Sequence, residues 1–157
     1  MSPSAGPLPV PVIAPDLADR LRRRLASSPA LQWLHPTLEE LGLDHCVLGL
    51  KYRSELTNSS TTIHGGVLAT LADTAVAFAL STNFDGKMGF ATADLTIHFL
   101  RRAKTDLKAR ARILKKGKRV NVGEVDIVDT DGTTVARALT TFLLTTSTFD
   151  YLPGGAR

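Results

Sequence analysis

Asp73 is the only charged residue between Gly65 and Ser81, a stretch otherwise built from leucine, alanine, valine, phenylalanine, threonine and glycine. A carboxylate among such neighbours is costly unless it is hydrogen-bonded or held neutral. Thr70 and Thr74 lie within a helical turn of it, and no basic residue does. A desolvated carboxylate suits acid–base or nucleophilic work; the alternative is an aspartate at a solvent-facing seam. Ahead of it stands His64-Gly65-Gly66. If a helix begins there, its free N–H groups form a site for a developing anion, and the glycines let a ligand approach the backbone. Asn58 precedes this tripeptide, and the three features together form a more specific pattern than any one alone.

The element that must carry these residues is a helix from Gly65 to Ser81. It contains no proline, and its apolar residues surround the whole helical circle, so it belongs in the middle of a protein. At 1.5 Å per residue it spans roughly 25 Å, the width of a small domain. It is too short and too rich in alanine and threonine for a membrane span.

Alternating patterns on either side predict strands. From Asp44 to Leu56, Cys46, Leu48, Leu50 and Tyr52 face one way, and Val47, Lys51, Arg53 and Glu55 the other. From Phe90 to Leu100, Ala91, Ala93, Leu95, Ile97 and Phe99 alternate with Thr92, Asp94, Thr96 and His98. Leu107 to Ile113, Val120 to Val128 (with a bulge near Gly123) and Thr133 to Thr146 follow, joined by turns at Lys115–Arg119 and Asp131-Gly132. Upstream, Pro15-Asp16 predicts a capped helix with Leu17, Leu21 and Leu25 on one face, followed by a short helical piece from Pro29 with Trp33 in the core. The expected organisation is a Pro-rich arm over 1–15, one domain over 16–148 with leading helices over 16–36, and a frayed tail over 149–157. It is an α+β chain with late strands forming an antiparallel meander.

Asn58, His64, Gly65, Gly66, Leu71 and Asp73, with Thr92 in Ala91-Thr92-Ala93-Asp94-Leu95, resemble the hotdog-fold acyl-CoA thioesterases of the phenylacetate-degradation branch. The resemblance covers roughly residues 40–146, with Thr61 standing where that family often has glycine. It implies an antiparallel sheet wrapped around one long central helix, and hydrolysis of an acyl- or aryl-acyl-CoA thioester to free acid and coenzyme A. It further implies that Asp73 activates water or attacks the carbonyl itself, and that Thr92 positions the water or the carboxylate. In the same reading the Gly65 N–H polarises the thioester carbonyl, Gly66 lies at the substrate, and Asn58 and His64 orient water, carbonyl and loop. The implied assembly is a homodimer, with a dimer of dimers expected. Coenzyme A is part of the substrate, and no further cofactor is implied.

A net charge of +4 favours anionic partners. Arg101, Arg102, Lys115, Lys116, Lys118 and Arg119 are candidates for coenzyme A phosphates, with solvated surface charge as the alternative. Aromatic content of 6% argues against a base-stacking platform, and no nucleic-acid motif is present. A non-catalytic acyl-CoA-binding protein of the same fold is disfavoured because a binder has little need of a buried carboxylate, and a hydroxyacyl-CoA dehydratase fits the motif less well. His45 and His98 read as surface residues, and no metal-ligand spacing is present. The single cysteine, Cys46, excludes an internal disulfide and fits a reducing compartment. With no signal-peptide pattern at its start, the chain is expected to be cytoplasmic, without membrane or nucleic-acid partners.

Overall fold

The computed structural model describes residues 13–148 apart from Asp85 and Lys87, with side chains as far as Thr145. Most of the expected arm and the whole expected tail therefore lie outside the described residues. In chain order the elements are α1 (Leu17–Ser27), α2 (Pro29–Gln32), β1 (Thr37–Gly42), β2 (His45–Leu50), α3 (Gly65–Ser81), β3 (Met88–Phe99), β4 (Leu107–Lys115), β5 (Val120–Val128) and β6 (Thr134–Thr148). The six strands form one sheet in the order β1-β2-β4-β5-β6-β3, antiparallel at every pairing. α3 packs chiefly on β4, β2 and β5. The wrapped-helix arrangement expected from the sequence is therefore the observed one. No helix among the described residues is long and apolar enough to cross a membrane.

One face of the sheet supplies the core under α3. A row across it reads Leu48, Ala109, Ile127, Ala136, Phe99, each residue opposite the next on the neighbouring strand. The other face is polar, and cross-strand pairs such as Arg137–Asp126 and Arg112–Glu124 line it. Cys46 sits on the inner face opposite Ala111, fully buried, and burial pushes its thiol up to about 12. α1 covers one end of the core with Leu17, Leu21 and Leu25.

Several local expectations are corrected. β1 was not foreseen, because Glu39 and Glu40 break its pattern and Glu39 is a bulge residue on an edge strand. β2 stops at Leu50 and does not run to Leu56. The Asp106 carboxylate accepts from Lys51 Nζ at 2.7 Å and Tyr52 N–H at 2.8 Å, and Ser54–Leu56 forms a 3-10 turn. Trp33 is 50% exposed, so it is not a core residue; Leu34 is buried in its stead. Asp16 stands at the N-cap of α1, but its side chain pairs with Arg20 and does not cap. The bulge expected near Gly123 is on the partner strand, where Leu114 is the extra residue of β4.

Gly123 has a different reason to be glycine. A Cβ there would lie 2.4 Å from Val76 Cγ1 on α3 and 3.1 Å from the Arg112 carbonyl oxygen. The helix can sit this close to β5 only because no side chain intervenes.

The approach to α3 is a small hairpin. Thr57 bridges to Ile63, and Asn58 N–H donates to the Thr62 carbonyl at 2.8 Å. Ile63 N–H donates to the Ala103 carbonyl and His64 N–H to the Leu56 carbonyl, both at 2.8 Å. Thr61 turns this hairpin with φ 60°, in the left-handed region. That conformation strains a β-branched residue and is the one glycine adopts freely. The Tyr52 hydroxyl, donating to the Thr61 carbonyl at 2.8 Å, helps hold it.

Two stability measurements check this packing. Gly123→Ala should cost about 1–3 kcal/mol in urea unfolding through overpacking. Val76→Ala in the same chain should cancel part of that loss, giving a strongly non-additive pair; additive costs would mean that helix and strand do not compete for this space. Thr61→Gly should raise stability by about 1 kcal/mol by removing left-handed strain. A variant no more stable than wild type would show that the hairpin is not strained at Thr61.

Candidate functional site

Asp73 lies at mid-helix, half-buried, on the one side of α3 that its own sheet leaves uncovered. The partly or fully exposed residues of the helix are Gly65, Gly66, Ala69, Thr70, Asp73, Thr74 and Ala77, spaced as one stripe. Thr70 and Thr74 are not partners of the carboxylate: their hydroxyls donate back to the Gly66 and Thr70 carbonyls at 2.9 and 2.7 Å. The partner of Asp73 comes from β3. Thr92 Oγ1 donates to Asp73 Oδ1 at 2.9 Å, with Oδ2 at 3.2 Å. Burial pushes the Asp73 carboxyl above the ordinary aspartate value, and the Thr92 hydrogen bond offsets part of that shift.

Strict alternation assigns Thr92 to the face opposite Leu95, Ile97 and Phe99. The structure corrects this. Thr92 pairs with Phe142 and Asp94 with Thr141, so Ala93 is an extra residue in β3. One inserted residue exchanges the two faces of a strand. Thr92 consequently shares the helix-facing side with Leu95, Ile97 and Phe99, where its hydroxyl meets Asp73. No residue type in Ala91–Leu95 announces the bulge.

His64 is the N-cap of α3, and its Nδ1 accepts from Gly66 N–H at 3.0 Å. The Gly65 N–H has no acceptor among the described residues. The helix therefore starts with one backbone donor occupied by the cap and the neighbouring one available, at the positive end of the helix dipole. Asn58 Oδ1 accepts from Ser60 N–H and Oγ at 2.9 and 2.8 Å, and from Thr62 N–H at 3.3 Å. Its carbonyl oxygen is thus committed to the loop, and its Nδ2 has no partner among the described residues.

The basic candidates divide into two groups. Arg101 and Arg102 are exposed and adjoin the helix start, because Ala103 is bonded to Ile63; Arg101 Nη1 donates to the Thr134 carbonyl at 3.0 Å. The Lys115–Arg119 turn lies at the other end of α3. Lys116 Nζ there donates to Asp44 Oδ2 at 2.8 Å and to Asn83 Oδ1 at 3.1 Å, while Lys115, Lys118 and Arg119 are exposed. With α3 roughly 25 Å long, the two groups cannot serve one helix start within a single chain.

The structure thus joins Asp73 to Thr92, and His64 to Gly65 and Gly66, but it does not join the two sets. Eight helical rises separate Gly65 from Asp73 by roughly 12 Å along the axis. A cleft of about 580 Å³ lies elsewhere, between α1, α2 and β1, and holds none of these residues. Sequence reasoning passed over Phe99, whose ring lies where a Gly65 side chain would project, 3.2 Å from the position of a Cβ there; the alternation marked it as an inward residue and nothing more. No group of three or more histidine, cysteine or acidic side chains suited to a metal occurs among the described residues.

Residues 61–136 match the sequence profile described as the thioesterase superfamily. A provisionally named esterase of Halobacterium salinarum is 31% identical over 120 residues, covering 73% of this chain and 80% of that protein. The acyl-coenzyme A thioesterase PaaI of Escherichia coli is 37% identical over 92 residues, covering 57% of this chain and 64% of that protein. The solved structure of the E. coli PaaI protein superimposes with a TM-score of 0.75 at 24% identity, over 84% of this chain and 96% of that one. Sequence profile, relatives and fold agree, and the chain belongs to the thioesterase superfamily of hotdog proteins.

Proposed function

We propose that the protein is an acyl-CoA thioesterase whose active site is shared between two copies of the chain. The observation that carries this reading is the pairing of Asp73 with Thr92 on a helix whose starting N–H is available but out of reach. Reacting atoms must approach to about 3–3.5 Å. A second, antiparallel α3 related by a two-fold axis brings Asp73 of the partner subunit beside Gly65. The open side of the fold supports this. β3 is a sheet edge, and a long unpaired edge strand is a template for another chain. The uncovered stripe of α3 is made of small and polar residues that allow a second helix to approach.

In this reading the thioester carbonyl oxygen accepts from Gly65 N–H, and His64 fixes the helix start that aims this donor. Asn58 holds the approaching loop, with its Nδ2 toward the substrate. Asp73, oriented by Thr92, removes a proton from water as the resulting hydroxide attacks the carbonyl carbon. Collapse of the tetrahedral intermediate breaks the C–S bond, and the proton held by Asp73 passes to the departing thiolate, giving acid and free coenzyme A. Direct attack by Asp73, through an acyl-aspartyl anhydride that water then cleaves, uses the same geometry. The burial-raised pKa of Asp73 favours the base role by strengthening its affinity for a proton. Arg101 and Arg102, beside the helix start, are suited to the phosphates of the same substrate.

Sharing is tested by co-expressing Gly65→Pro and Asp73→Ala chains. Proline at the first helical position removes this N–H and is compatible with a helix start, and His64, at φ −61° and ψ 139°, already has the conformation required before proline; because the added Cβ also presses on the Phe99 ring, Gly65→Ala, which keeps the N–H, is the control for the added carbon. Gly65→Pro and Asp73→Ala alone should each lose at least ~100-fold in acyl-CoA hydrolysis. A mixed dimer holds one site with both lesions and one with neither. Random pairing makes about half the dimers mixed, so about a quarter of wild-type activity should return. A site within one chain predicts no return.

The carboxylate also makes a stability prediction. Asp73 is harder to ionise in the folded protein than in the unfolded chain, so the unfolded state releases this proton first as pH rises. Folding stability is therefore lost through the window between the ordinary aspartate value and the raised one, and the penalty is complete above it. Asp73→Asn should melt higher than wild type at neutral pH, with the gap closing as pH falls below the ordinary aspartate range. A gap that persists in acid would assign the effect to something other than ionisation.

A further inference from the structure

The cleft of about 580 Å³ between α1, α2 and β1 falls in the size range of small-molecule sites, roughly 300–1,000 Å³. Its floor is apolar: Leu25, Leu31, Pro36 and Leu38 line it, and all four are buried. Its rim is polar and exposed, made of Arg22, Gln32, His35 and Thr37. None of the described residues lining it is acidic. The fold builds this rim from two helix faces. α1 turns Leu17, Leu21 and Leu25 to the core, which leaves Arg22 and Ala26, four residues apart, together on its flank. α2 ends at Gln32, and two residues beyond its C-cap the His35 N–H donates to the Leu31 carbonyl at 2.9 Å with φ 51°. That left-handed conformation at a helix end is the one glycine adopts most readily. A histidine there places an imidazole on the rim.

The lining selects among occupants. A peptide strand would pair with β1, the sheet edge beside the cleft. That edge is blunted, because Glu39 is a bulge residue and Glu40 adds a second carboxylate. A nucleotide polyphosphate needs several cations, and the lining holds one guanidinium. A neutral apolar molecule would fill the floor and displace water from Arg22 without offering it an acceptor, which is costly. An amphiphile with a single negative charge satisfies floor and rim together. The groups already near Arg22 leave room for it. Asp19 Oδ1 accepts from Arg22 Nη1 at 2.9 Å, but both side chains are exposed, such a pair contributes little, and the guanidinium keeps further donors. The acids of β1 are engaged elsewhere, Glu39 with Lys108 at 2.8 Å and Glu40 with His45 at 3.5 Å.

We propose that this cleft is a binding site for an apolar monocarboxylate, with the hydrocarbon on Leu25, Leu31 and Leu38 and the carboxylate accepting from Arg22 and His35. The inference goes beyond the thioesterase reading, since binding here requires no turnover. In that reading the released acid belongs to the same chemical class, which makes the cleft a place where product binds without occupying Asp73 or Gly65.

Trp33 is the only tryptophan in the chain, follows Gln32 of the rim directly and is half exposed, so its fluorescence is a local reporter. The test titrates the full chain with octanoate and, separately, octylamine, followed by Trp33 fluorescence and by calorimetry. Octanoate should bind saturably and at least ~tenfold tighter than octylamine, the scale of one hydrogen bond to a charged group. Arg22→Gln should weaken octanoate binding by about tenfold. Ala26→Phe, which fills the cleft from an exposed helix position, should abolish it. No saturable binding by wild type, equal affinity for acid and amine, or an Arg22→Gln affinity equal to wild type would each overturn the proposal. Octanoate binding that survives Ala26→Phe lies elsewhere, the catalytic groups included, and overturns it too. If circular dichroism shows that Ala26→Phe does not fold, the Arg22→Gln comparison decides. Hydrolysis of acyl-CoA is measured separately, so failure of this site leaves the thioesterase reading standing, and the reverse.

Discussion

A helix without a polar face must be covered on every side, and α3 is such a helix. Its own sheet covers most of it: Val67, Leu68, Leu71, Ala72, Ala75, Val76, Phe78, Ala79 and Leu80 are all buried. The curvature that allows this depends on close contacts such as Val76 on Gly123. One stripe remains, and the residues on it are small or hydroxylated, with a single carboxylate among them. On that same side the sheet ends in β3, with no neighbour beyond it. The uncovered helix stripe and the unpaired strand are therefore one continuous gap, and the candidate chemistry lines it.

Desolvation governs this gap in two opposite ways. It makes the Asp73 carboxylate hold a proton more tightly than an aspartate in water, which destabilises the charged form within the folded chain. It also leaves the Gly65 N–H without water's competition once a substrate is bound, which strengthens any hydrogen bond that it donates. Thr92 moderates the first effect with one hydroxyl hydrogen bond. A guanidinium in its place would hold the carboxyl ionised and weaken it as a base. The hydroxyl orients the group and leaves most of its basicity in place.

The elements that dominate this fold were the ones legible in the sequence. An apolar run interrupted by one aspartate, and four alternating strands with basic or Asp-Gly turns between them, are strong periodic signals, and they match α3 and β3 to β6 in order. The grouping of His64 with Gly65 and Gly66 at the helix start was equally readable. What escaped has a common physical cause: pairing partners distant in sequence decided it. β1 exists because β2 offers an edge, despite Glu39 and Glu40. β2 ends early because Asp106, from a distant connection, captures the backbone at Tyr52. The inward turn of Thr92 arises from a register shift against β6, which no local pattern encodes. Thr61 was readable as a departure from the family's glycine, and its left-handed backbone explains why glycine suits that position.

Cys46, packed on the inner face of β2, bears on what leaves the site. Hydrolysis of the proposed kind liberates a free sulfhydryl with every turnover, and sulfhydryls exchange with disulfides through their thiolate forms. Cys46 is the only sulfur nucleophile in the sequence, it is fully buried, and at a pKa of about 12 it is almost wholly protonated at neutral pH. The folded protein is thus a bystander to redox exchange with its own product. It offers no handle for S-glutathionylation or for a mixed disulfide with coenzyme A, and a chromogenic disulfide reagent added during turnover would count released product and not protein.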